Sequence, residues 1–351
     1  MRTNKEQKVT IGDVAARAHS SVSSVSRVIH NHKGIHADVR SRIEQAIRDL
    51  QYHPAPRKRR SKPSYRYIYF LLTNRDPQQF HAKVLQVLDD ECTRRGDLLL
   101  FRALRYAPEM PTDELDDHLR NRVFLNQGKA LAQGMVLTGQ TSPNLLGALE
   151  RTEIPFVILG NNYTGSEVNA DSVSFDLRQG GYDATRYLID LGHKNILFIG
   201  DINYDWFDEI YKGYLSALGE SNLLPLAQTK ALSDNWYSNG YLSVGMALEQ
   251  PKELTAIFAA HDEMALGALK ALNDRSLAVP QQVSVIGFED EDYASFTVPP
   301  LTTVKVDAVA FGREMINQLY KNFADQPRKL TSVRLPTVLV KRGSCRPLST
   351  F

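Results

Sequence analysis

The chain has 351 residues, more than one ordinary hydrophobic core serves, so two or three domains are expected. Formal net charge is only +2, yet residues 1–62 hold 14 Lys and Arg against 5 Asp and Glu, while the remainder holds 28 against 35. A basic head on an acidic body directs the head to a polyanion and excludes the body from that role. Residues 9–30 scan as two short helices joined by a tight turn. Val14, Ala15 and Ala18 face inward on the first, and Val25, Val28 and Ile29 on the second. Thr10 can cap the first helix with Asp13 three residues on, and Ser21 can cap the second. The second helix leaves Ser23, Ser24, Ser26 and Arg27 unused by packing. Such a helix, apolar on one face and short, polar and cationic on the other, suits the major groove of DNA. An ordinary helical hairpin with a solvated face is the competing reading at this point.

Val39, Ile43, Ile47 and Leu50 recur at helical spacing and supply a third helix, closing a headpiece over residues 1–53 at Tyr52-His53-Pro54. Residues 54–65 form a basic, Pro-rich linker: 54–64 carry three prolines and five basic side chains. No amphipathic basic helix with a bulky apolar face precedes residue 65, so DNA is preferred over a membrane surface as the polyanion.

From Arg66 the pattern alternates between strands and helices. Strands are expected at Tyr67–Leu72, Leu98–Phe101, Met135–Thr138, Phe156–Leu159, Val173–Phe175, Ile196–Gly200, Ala256–Ala259 and Val283–Phe288. Helices are expected at Val84–Arg95, Gln179–Leu191, Asp208–Leu218 and Asp262–Asn273. This predicts doubly wound parallel sheets covered on both faces, in two lobes, with ligands beyond the carboxyl ends of the strands. No run of about 18 apolar residues occurs and no apolar stretch follows Met1, which predicts a cytoplasmic protein without a membrane partner. Cys92 and Cys345 lie far apart without metal or disulfide spacing, and the histidines lack a ligand pattern, so no metal site is expected. There is no GxxxxGK[ST] and no GxGxxG after the first strand, and Gly213–Ala217 lacks the second glycine of a nucleophile elbow. An enzyme and a cofactor are therefore not expected.

The sequence resembles the LacI family of bacterial transcription regulators over essentially its whole length. Val9-Thr10-Ile11 and Asp13-Val14-Ala15 match the family's opening, and Val25-Ser26-Arg27-Val28 its recognition helix. Leu191–Ile196, Asp262–Gly267, Pro299–Val304 and the closing run from Leu335-Pro336-Thr337 to Leu339-Val340-Lys341-Arg342 match its core. The resemblance implies an all-α helix-turn-helix headpiece that binds operator DNA and a hinge. It also implies an α/β core, residues 66–351, similar to periplasmic sugar-binding proteins, that binds a small-molecule effector and forms a homodimer. It places lobe 1 at about 66–170 plus 305–328 and lobe 2 at about 171–304 plus 329–351.

By the same resemblance, Val22 and Ser23 meet base edges, and Arg27 binds guanine bidentately. Thr10, Ser21, Ser24 and Ser26 complete the DNA face, the three serines at phosphates. His19 and Ser20 depart from the usual turn residues. The hinge carries no wedging Leu, so Arg57, Lys58, Arg59 and Arg60 are expected to act electrostatically instead. For the effector the expected residues are Asn74, Gln78, Phe80, Asn161, Tyr204, Trp206, Trp236, His261 and Glu289. Asp262 is read as a helix cap. Ile210 stands where many sugar-responsive relatives have an anion-clamping Arg, which points to a neutral ligand, most simply a saccharide. A repressor is expected; the alternatives are a co-repressor-type regulator responding to a nucleobase-like ligand and a solute-binding protein without a regulatory role.

Overall fold

The computed structural model describes residues 9–30, 32, 34–53, 65–74, 78–123, 132–165, 169–250, 253–324 and 330–348. They fall into two compact units, Met1–Ser64 and Tyr65–Phe351.

The first unit is built from α1 (Ile11–Arg17), α2 (Val22–Ile29) and α3 (Ala37–Asp49). Val14, Ala15, Ala18, Val25, Val28, Ile43 and Ala46 bury together, with Ile29, Val39, Ile47, Leu50 and Tyr52 packed around them. Both expected caps are present. The Asp13 amide donates to Thr10 Oγ1, while the Thr10 amide and hydroxyl donate to Asp13 Oδ2, each at 2.7 Å. The Ser24 amide donates to Ser21 Oγ. Helix α1 ends with His19 at φ +48°: the Ser20 amide donates to Ala15 O and the His19 amide to Ala16 O. These two bonds form the Schellman closure that usually takes glycine at this left-handed residue. Arg17 and Asp49 then join α1 to α3 at 3.3 Å.

The second unit contains two six-stranded sheets. The first has the order β11-β5-β4-β3-β1-β2, from β1 (Tyr67–Thr73), β2 (Leu98–Leu104), β3 (Gly134–Gly139), β4 (Phe156–Leu159), β5 (Asp171–Phe175) and β11 (Ser332–Leu335). Strands β1, β3 and β4 are buried almost throughout, because helices cover both faces. Ile68 and Phe70 of β1 point to α4 (Gln79–Arg94) and α11 (Ala308–Ala324), which pack together. Tyr69 and Leu71 point the other way, to α5 (Thr112–His118) and α6 (Pro143–Glu150). The second sheet has the order β12-β10-β9-β8-β6-β7, from β6 (Ile196–Ile199), β7 (Leu226–Gln228), β8 (Ala256–Ala259), β9 (Ser284–Glu289), β10 (Thr302–Lys305) and β12 (Val338–Val340). Its helices are α7 (Leu177–Asp190), α8 (Asp205–Glu220), α9 (Trp236–Leu248) and α10 (Asp262–Asn273).

The two doubly wound, parallel sheets are as expected, with β12 added antiparallel to β10, Thr303 opposite Val340. The lobe boundaries move. Residues 171–175 and 332–335, expected in lobe 2, pair with each other in the first sheet, and 171–175 pair with β4 on their other side. Buried Asp171 fixes this arrangement by accepting from the Thr331 amide and hydroxyl and from Asn322 Nδ2 at 2.7–2.9 Å. The chain therefore crosses between lobes after Phe175, after Lys305 and after Leu335.

Candidate DNA-binding face and effector cleft

On the headpiece, α2 presents Val22, Ser23 and Arg27 to solvent, with Ser24 and Ser26 half-buried. Val22 is 49% exposed although apolar, which its own unit gives no reason for. Ser21 Oγ lies 2.8 Å from Ser23 Oγ and 2.9 Å from Ser24 Oγ, so these hydroxyls form one small array at the start of the helix. No ion pair engages Arg27 among the described residues. The α2 face thus exposes a methyl-bearing side chain, hydroxyls and a guanidinium, the groups that read base edges and hold phosphates. Thr10 is exposed, with its hydroxyl committed to the α1 cap. Arg57, Lys58, Arg59 and Arg60 lie outside the described residues.

In the second unit, a cleft opens between the lobes at the carboxyl ends of both sheets. Gln78, Phe80, His81, Leu159 and Asn162 line it from the first lobe, and Trp206, Phe207, Trp236, His261 and Glu289 from the second. Six of the nine expected effector residues are there. The other three do different work. Asn74 sits at φ +49° and ties β1 to the end of β2, exchanging hydrogen bonds with the Tyr106 backbone at 2.8 and 2.9 Å. Asn161 exchanges hydrogen bonds with the Phe175 backbone and lines a separate polar groove. Tyr204 backs the cleft, meeting Trp236 edge-on at 5.6 Å.

Among the lining residues outside those nine, Asn162 is one step beyond Asn161: the chain turns through a 3₁₀ helix at Gly160–Asn162, which puts the second amide into the cleft. His81 escaped notice because α4 begins at Gln79, five residues before the periodic apolar stretch becomes visible. Phe207 is buried at the start of α8, its ring edge-on to Trp236 at 5.2 Å.

The polar groups of the cleft are few and oriented. His261 caps α10: its Nδ1 accepts from the Glu263 amide at 3.0 Å. That leaves the ring proton on Nε2, 3.3 Å from Glu289 Oε2. The expected cap, Asp262, is instead wholly buried and accepts from Thr303 Oγ1 (2.6 Å) and the Glu291 amide (2.8 Å). Burial, opposed by those hydrogen bonds and reinforced by the charges of Asp290 and Glu291, pushes its carboxyl up to about 7. Glu289 and Asp290 both have positive φ, +109° and +59°, and Arg342 Nη2 holds Asp290 at 2.6 Å. Two consecutive non-glycine residues in this region are strained, and such strain gathers at functional loops. Trp206 closes the floor against Phe80 and Phe175 at 6.3 and 6.2 Å; its Nε1 is buried with no acceptor among the described residues. No Lys or Arg lines the cleft among the described residues.

A helix-turn-helix unit joined to a two-lobed α/β core with an interlobe cleft defines a ligand-responsive type of DNA-binding transcription regulator. Residues 10–55 match the model of bacterial regulatory proteins, lacI family, and residues 185–345 that of a periplasmic binding protein-like domain. The HTH-type transcriptional repressor PurR of Histophilus somni (strain 2336) is 30% identical over 347 residues, spanning 97% of this chain and 99% of the relative. The chain belongs to the lacI family. PurR of Haemophilus influenzae (strain ATCC 51907 / DSM 11121 / KW20 / Rd) is 29% identical, over 88% of this chain and 90% of its own length. The fold is shared with the transcriptional regulator CelR–cellobiose complex (TM-score 0.67, 24% identity, 96% and 99% of the two chains). It is also shared with the lac repressor dimer bound to operator and the anti-inducer ONPF (TM-score 0.68, 22% identity, 97% and 100%).

Proposed function

We propose that the protein is a repressor whose operator affinity is set by a small neutral saccharide held in the interlobe cleft. The observation that carries the ligand class is the cleft lining. Among the described residues it offers aromatic surface, two amides, two histidines and one carboxylate, and no Lys or Arg to neutralise an anionic ligand. Glu289 is placed to accept from ligand hydroxyls, and the buried Trp206 N–H to donate to a ring or hydroxyl oxygen. Trp236 supplies a stacking face. Its aromatic neighbours Tyr204 and Phe207 stand at 86° and 89° to it, so they form no parallel slot for a flat base; a pyranose on one face suits this better. Solved relatives carry cellobiose and, in a regulator from Enterococcus faecium, ribose. The nucleobase-like alternative is the second arm of the same test. A thermal-shift screen of neutral mono- and disaccharides against nucleobases should show stabilisation by a sugar, lost in Glu289→Ala. Stabilisation by nucleobases alone, with that variant unaffected, overturns the saccharide.

On DNA, Arg27 is the base-reading side chain, Val22 and Ser23 add methyl and hydroxyl contacts, and Thr10, Ser21, Ser24 and Ser26 position the helix on phosphates. Arg57–Arg60 add electrostatic attraction from the linker, which steepens the salt dependence of binding. Operator selected from a random duplex library should bind Arg27→Ala at least about tenfold more weakly, from the ~1–3 kcal/mol of a bidentate pair, while its circular dichroism stays unchanged. Undiminished selective binding in a gel shift refutes that role.

A further inference from the structure

We infer that the lobes are latched in this arrangement by the loop after β9, whose Glu291 and Asp292 grip the first turn of α4 in the opposite lobe. Two contacts make the latch, with a buried carboxylate beside them. Gln79 Nε2 donates to Asp292 Oδ2, Lys83 Nζ stands 2.7 Å from Asp292 Oδ1, and the Glu291 side chain is buried next to them. Glu291 is only 6% exposed, and its Oε2 is shielded with no partner among the described residues. A buried carboxylate without full hydrogen bonding is costly, so this burial persists only while the α4 end is docked against it. The negative charge also lies at the positive end of a 16-residue helix, which favours the docked state.

The loop is held in shape from its own lobe. The Glu291 amide donates to Asp262, Asp290 pairs with Arg342, and the positive φ angles of Glu289 and Asp290 turn the chain toward α4. The latch therefore acts as a rigid finger. It begins two residues after Glu289, and its target turn holds Phe80 and His81, so each of its halves adjoins residues that line the cleft. A ligand that moves Glu289 or Phe80 shifts the latch with it. That coupling rests on the cleft reading, whereas the latch rests on the contacts alone.

The test uses the full chain in a Trp236→Phe background, where Trp206 is the single tryptophan left of two and reports on closure. Glu291→Ala should lower the closed-to-open ratio about tenfold, as loss of a helix cap does. Lys83→Met should lower it about threefold, the scale of an exposed ion pair. Both appear as a red shift of Trp206 emission and increased acrylamide quenching without ligand, and as a larger radius in small-angle scattering. Lys83→Glu with Asp292→Lys should restore the shielding that Lys83→Glu alone removes. Unchanged Trp206 shielding in both Glu291→Ala and Lys83→Met overturns the latch. Failure of the charge swap to restore shielding in a chain that unfolds cooperatively does so too; if the swapped chain does not fold, the two single variants decide. Sugar stabilisation is read in chains that keep Trp236; its retention in Glu291→Ala and Lys83→Met there, with shielding lost in the Trp236→Phe background, separates this inference from the ligand assignment.

Discussion

Asp262 is the residue whose chemistry departs furthest from its surface appearance in the sequence. As a helix-first-turn aspartate it reads as a cap, but a cap needs solvent or a free amide, and His261 already occupies that place. The carboxylate turns inward instead and joins β10 to the loop after β9 through Thr303 and the Glu291 amide. Because burial raises its pKa to about 7 from the ordinary 3.8, the folded chain holds this proton more tightly than the unfolded one. Its contribution to stability is fully present below about pH 4 and is lost as pH rises from there to about 7. Asp262→Asn keeps the shape and removes the titration. Urea unfolding of both chains between pH 4 and 7 should therefore show the wild type losing ground to the variant as pH rises. A constant difference across that window contradicts the assignment.

At the scale of elements, most strands were legible because continuous apolar runs four to six residues long have few other places to go than a sheet covered on both sides. Helix starts were less legible. The first turns of α4 and α8 carry polar and aromatic residues that face the cleft, so apolar periodicity begins late, and His81 was missed for that reason. The helix pairs of the second lobe were not legible at all, since they depend on where glycines meet. A Cβ on Gly213 of α8 would stand 2.1 Å from Arg178 O of α7, and one on Gly240 of α9 would stand 1.9 Å from Met264 O of α10. Backbone cannot yield as a flexible side chain does. Gly240→Ala should thus cost about 1–3 kcal/mol by overpacking, seen as a lower urea midpoint with the slope unchanged. Gly219, whose Cβ would meet nothing within 4 Å, is the control and should tolerate alanine.

For the whole molecule, charge asymmetry and ordered motifs made the headpiece and the two-lobed core legible, while contacts between the lobes were not. Asp292 and Lys83 are 209 residues apart, and only the three crossings of the chain bring them together. The same distance problem hides how copies of the chain meet, and here exposure is the guide. Phe296 and Val298, on the loop before β10, are 83% and 96% exposed, and Leu242 and Met246 add apolar surface on α9. We propose that these large apolar side chains, left so open on a well-buried core, form an association surface between two copies related by a two-fold axis. A dimer also presents two headpieces, which pairs with two half-sites one turn of DNA apart. Phe296→Ser with Val298→Ser should weaken self-association on the order of tenfold or more, read as a shift from dimer to monomer in sedimentation velocity at micromolar concentration. Operator affinity should fall with it, because the second headpiece no longer binds at the effective concentration that linkage supplies. A variant that sediments as a dimer and binds operator as before places the interface on another face.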